Sequence, residues 1–139
     1  MTHPPTVSRP AGGGPSVGWI GVVAAHLGLL ALGFAVGVLG SFVHAVGPTE
    51  PVRIPLGLLW AYALTAALLA VARLATGGRS GAAAVSVGWV VALLLLSAPR
   101  PEGDLVVTGS LVGYAWLLGG LVVCAAGVGW PTAPPAPGR

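Results

Sequence analysis

Four apolar stretches, Val17 to Val46, Ile54 to Ala72, Gly81 to Ala98 and Leu105 to Trp130, contain no Asp, Glu or Arg. A helix of about 20 apolar residues crosses the hydrocarbon core of a bilayer, with roughly 17 to 25 as the workable range. Each stretch is long enough, which places membrane spans at about 17–46, 54–75, 81–98 and 105–130. A helix satisfies its own backbone hydrogen bonds, whereas lone strands would leave open edges in lipid. The pattern therefore predicts an all-α integral membrane protein, with four transmembrane helices in an up-down bundle. The first and last spans exceed what a crossing needs, so they tilt or project beyond the core. Residues 1–16 and 131–139 are rich in Pro and Gly and too poor in apolar surface to fold, and they read as flexible tails. A cleaved signal peptide is the rival reading of the first span, with Val43-His44-Ala45 as the cleavage pattern. Its apolar run is about twice the usual length and its leading charge is weak, which disfavours cleavage.

Within these spans small residues recur at helical spacing. Gly21, Ala25, Gly33, Gly37 and Ser41 share one ridge of the first span, broken by Leu29. Gly109 and Gly113 form a second GxxxG, with Gly120 and Cys124 further along the fourth span. Lipid tails are as apolar as leucine, so helices associate where small side chains let backbones approach. Packing inside the bundle is the expected use, with a homodimer seam as the alternative. Ser16-Val17-Gly18-Trp19-Ile20 recurs as Ser86-Val87-Gly88-Trp89-Val90, a weak sign of duplication on which nothing else is built.

Composition strengthens the membrane reading. Hydrophobic residues make up 55% of the 139 and charged ones 6%, against about a quarter charged in a soluble domain. The lipid bilayer is the first partner. The net charge of +3 comes from single scattered arginines, which form no basic stripe, so nucleic acid is not expected as a partner. Cys124 stands alone and builds no disulfide, metal or redox motif within the chain.

The arginines also orient the chain, because short Arg-rich loops stay on the cytoplasmic side. With four spans, Arg9, Arg73, Arg79 and Arg139 share one side. Arg53 and Arg100 share the other with all three acids, Glu50, Glu102 and Asp104. A multi-pass protein of the cell membrane with both termini in the cytoplasm is expected. Trp and Tyr favour the headgroup levels, which assigns Trp19, Trp89 and Trp130 to the inner level. Trp60, Tyr62, Tyr114 and Trp116 fall in the outer halves of their spans.

Ionisable groups inside a membrane are functional candidates by default, and His26 is the candidate intramembrane polar residue, about 10 Å past Trp19. A neutral histidine bonded to nearby backbone is the simpler account, since no acidic partner lies at its depth. His44 shares its helical face about 27 Å away, so the two cannot share an ion. The third loop, Pro99-Arg100-Pro101-Glu102-Gly103-Asp104, is the most distinctive polar segment. It can recognise a partner or cation, or it can stop and restart helices, with Asp104 capping the fourth span. Arg100, Glu102, Asp104 and His44 are the candidate outer-face interaction residues. The chain has no GxSxG elbow, no HExxH and no phosphate-cradling loop ending in Lys. Neither an enzyme nor a cofactor is expected.

Two segments carry a family resemblance: Ser41-Phe42-Val43-His44-Ala45, and Arg100-Pro101-Glu102-Gly103-Asp104-Leu105-Val106-Val107 with Gly113-Tyr114-Ala115-Trp116-Leu117-Leu118-Gly119-Gly120. Together they resemble an uncharacterised family of small four-span membrane proteins from high-GC actinobacteria, classed as a domain of unknown function. The resemblance covers the spans rather than the tails and implies no activity, though it draws attention to His44 and the third loop. The leading functional expectation is a non-enzymatic accessory or scaffold protein of the cytoplasmic membrane, with a membrane-protein partner or a homo-oligomer. The alternative is a small oligomeric transporter or channel. Small multidrug exporters have this size and span count, but they use a glutamate in the first helix, which is missing here.

Overall fold

A computed structural model describes residues 18–46, 55–98 and 110–131 of the chain. Within them lie four helices: α1 (Trp19–Val43), α2 (Leu56–Thr76), α3 (Arg79–Ser97) and α4 (Leu111–Gly129). All four are long and apolar enough to cross a membrane, and no strand occurs among the described residues. The expected all-α integral membrane fold is the one the chain adopts.

The turn between α2 and α3 follows from two glycines. Gly77 takes the left-handed conformation at φ 66°, which costs a residue without a Cβ little. Gly77 N–H donates to the Leu74 carbonyl and Gly78 N–H to the Arg73 carbonyl at 3.1 Å, the Schellman closure of a helix end. Thr76 Oγ1 then accepts from Gly81 N–H at 3.2 Å. This short turn folds α3 back along α2, and Arg79 becomes the first residue of α3 rather than part of a loop.

α4 begins later than its apolar run suggests. Its N-cap is Ser110, whose hydroxyl accepts from Gly113 N–H at 3.1 Å, in place of the expected Asp104, which lies outside the described residues. A serine caps as well as an aspartate, and hydrophobicity cannot say which of the two the helix uses.

Both α1 and α4 pack on the α2–α3 hairpin, and the closest pair is α1 with α3. There Gly33 lies against the Val85 carbonyl, and Gly88 against the Leu30 carbonyl and Phe34 N. A methyl group at either glycine would overlap backbone, so the glycines set this approach. The small-residue ridge thus serves internal packing, through Gly33, Gly37 and Ser41, all buried. Gly21 and Ala25 on the same ridge are exposed. Cys124 is a buried filler with a free thiol.

These contacts also set depth. They put Leu32–Gly33 of α1 level with Val87 of α3, the two helices running parallel. Counting back, His26 is level with Ser80–Gly81, and α1 projects about 8 Å beyond the start of α3. His26 therefore lies at the level of the α2–α3 turn. The overhang leaves the tip of α1 uncovered, with Trp19 76% exposed.

The aromatic residues divide in a way the belt assignment missed. Trp19, Trp60, Tyr114 and Trp130 are exposed near helix ends, whereas Trp89 and Trp116 are 0% exposed and form the centre of the core. Trp116 shares a ridge with Gly113, Gly120 and Cys124, the four buried residues of α4. Its place on that ridge turns it inward.

Candidate functional site

The last turns of α1 place Gly37, Gly40, Ser41 and His44 on one face, at the i, i+3, i+4 and i+7 positions. Gly40 leaves room for the edge of the Trp116 ring, which a methyl there would strike. Trp116 Nε1 donates to Ser41 Oγ at 3.1 Å, and Ser41 Oγ donates to the Gly37 carbonyl at 2.8 Å. One hydroxyl thus links α4 to α1 and satisfies the buried indole.

Three rings gather on Trp116. His44 stacks on it with centroids 6.2 Å apart and planes 16° from parallel. Tyr62 of α2 stacks at 5.8 Å and 26°. Trp89 of α3 meets it edge-on at 5.2 Å and 67°. These distances lie within the range where aromatic pairs attract. Tyr62 also donates its hydroxyl hydrogen to the Ala115 carbonyl. All four helices therefore contribute to one cluster, which runs from Trp89 at the centre of the core toward the end of the bundle opposite Arg73 and Arg79.

His44 is the chemically distinctive member. It is 3% exposed, so it is turned into the bundle rather than displayed on the outer face as the sequence suggested. Its Nδ1 lies 2.8 Å from the Ser41 carbonyl. A carbonyl only accepts, so Nδ1 carries the hydrogen and Nε2 is left with its lone pair. Nε2 is buried and has no hydrogen-bond partner among the described residues. It can accept one hydrogen bond. Among the described residues no three His, Cys, Asp or Glu side chains come together.

The other sequence candidates fall elsewhere. Arg100, Glu102 and Asp104 lie outside the described residues. His26, partly buried, turns its Nδ1 to the Val22 carbonyl at 2.8 Å, as a histidine satisfied by its own helix does. Sequence reasoning passed over Ser41, Tyr62, Trp89 and Trp116 as a group. The ridge spacing that singled out the glycines would have found Trp116 had it been applied to aromatic residues.

A second polar device sits at the opposite end. Arg73, read from sequence only as an orienting charge, reaches from α2 to the end of α4. It donates to the carbonyls of Gly127 at 2.6 Å, Val128 at 3.5 Å and Trp130 at 2.8 Å. These are carbonyls without helical partners, at the negative end of the α4 dipole.

A model of a family of unknown function, DUF6113, matches residues 9–139. The chain belongs to that family. The expected uncharacterised family is thereby found, and the match to DUF6113 reaches into both tails, further than the spans alone. No curated protein and no solved structure matches the chain.

Proposed function

We propose that the protein is a non-enzymatic accessory or scaffold component of the cytoplasmic membrane in an actinobacterial cell, with both termini in the cytoplasm. It works by presenting helix faces and connecting loops to a membrane-protein partner. The observation that carries this reading is the filled centre of the bundle, where Trp89 and Trp116 occupy the interior against Gly37, Gly40 and Gly120. Ser41, Tyr62, Arg73, Thr76 and Trp116 tie the helices to one another, while leucines and valines cover the outside. Such a molecule has its outer surface left to act with. The orientation is supported by Arg73 and Arg79 lying at the same end of the bundle.

The test is gentle extraction of a tagged full chain from its native membrane, with co-purifying proteins and small molecules identified by mass spectrometry. A stoichiometric protein partner, lost when Arg100, Glu102 and Asp104 are replaced together, is the expected result. A homo-oligomer that retains a small molecule and no protein partner would overturn it. That outcome would favour the second reading, a small oligomeric transporter or channel, to which the Nε2 of His44, buried with no partner among the described residues, lends support.

A further inference from the structure

Between α2 and α4 an apolar groove of about 510 Å³ runs along the outside of the bundle. Its walls include Ala66, Ala70, Val123 and Ala126, and it ends at Arg73 and Trp130. Small side chains on both helices create it. From Ala66 to Arg73 it covers about 10 Å of helix, some two-thirds of the roughly 15 Å hydrocarbon depth of one leaflet.

Arg73 is held in place at the head of this groove. Its three carbonyl contacts use at most three of the five N–H groups of a guanidinium. Arg73 and Arg79 are the charged side chains of the described residues, and both lie at this end. The site therefore combines a fixed cation that has donors to spare, an exposed indole at headgroup level, and an apolar channel descending into the leaflet.

We infer that this groove binds one anionic phospholipid, its phosphate on the free N–H groups of Arg73 and one acyl chain lying between α2 and α4. Charge and hydrogen bonding select this occupant over a protein. A transmembrane helix leaves carbonyls free only at its end and those carry no net charge, whereas a phosphate brings the opposite charge and accepts two parallel N–H bonds from a guanidinium. The apolar walls give water no partners below Arg73, and an empty groove would forfeit dispersion contacts along its whole length.

The full chain, purified in mild detergent, is to be titrated with phosphatidylglycerol and with phosphatidylcholine of matched acyl chains, and binding read by native mass spectrometry. One phosphatidylglycerol retained with about tenfold preference is expected: both lipids present a phosphate to Arg73, but the choline cation of phosphatidylcholine cancels the net negative charge that phosphatidylglycerol keeps. Ala70→Phe fills the groove from an exposed position and leaves Arg73 untouched, so it should remove the preference without unfolding the bundle. Arg73→Gln should remove it too, and Arg79→Gln should not. Equal binding of the two lipids, an equal loss in Arg79→Gln, or a dimer that dissociates in Ala70→Phe would overturn the inference.

Discussion

Two regions of this bundle hold their helices together by different physics. Along the α1–α3 seam, Gly33 and Gly88 bring backbone against backbone. At the His44 end α1 and α2 still touch backbone to backbone through Gly57 and Val43, but α4 stands far enough off to admit aromatic rings, and Ser41, Tyr62 and Trp116 bond across that gap. In a bilayer, burying leucine yields little, since lipid solvates it as well as protein does. Close approach and satisfied polar groups remain as the two sources of cohesion. The comparison teaches that the seam rests on close approach, whereas the His44 end adds polar ties to α4, and each should fail to a different kind of substitution.

The largest effect is expected at the seam. Gly33→Leu drives a side chain into the Val85 carbonyl, and reversible unfolding in mixed micelles should show a loss of about 3 kcal/mol, the upper range for overpacking. Gly28→Leu is the control, because no neighbouring atom lies within 4 Å of a methyl placed there, and its stability should be unchanged. Equal losses at the two glycines would break the account of the seam.

Trp116→Ala should come next, at about 2 kcal/mol. Truncating a buried tryptophan in a water-soluble core costs roughly 3 to 5 kcal/mol, but part of that is transfer from water, and here the alternative environment is lipid. The same unfolding measurement checks it, and a loss beyond that of Gly33→Leu would reverse the ranking of the two regions.

Ser41→Ala tests the polar tie alone. It leaves the Trp116 N–H buried without its acceptor, and a loss of about 1 kcal/mol is expected, between the membrane average for such bonds and the cost of an orphaned donor. The double variant with Trp116→Phe should be no worse than Trp116→Phe, since the pair shares one bond. Additive losses would show that the serine acts elsewhere.

His26→Leu should be the smallest change, within about 0.5 kcal/mol, as for a surface substitution away from any special feature. Its hydrogen bond runs to its own helix. A marked loss would mean that the projecting end of α1 packs on something beyond the chain.

The spans, their helical nature and the small-residue ridge were legible because each depends on periodicity within a single segment. The buried face of α4, with Gly113, Trp116, Gly120 and Cys124 three or four residues apart, is a pattern any reader of the sequence can find. The inward turn of His44 was not, because a histidine at a helix end is as plausible at a headgroup as under a tryptophan. Nor was Arg73, whose partners lie more than 50 residues away on α4.

The sequence by itself determined that this is a four-helix membrane protein, because hydropathy and helical period are properties of neighbours along the chain. It also carried the positions at which helices could approach, since a glycine leaves room wherever it falls. Only the tertiary structure decided which helices met there, that Trp89 and Trp116 were core and not belt, and that Arg73 closed the end of α4. Those outcomes depend on how far one helix slides along another. That offset is set by contacts between distant segments, and no local pattern encodes it.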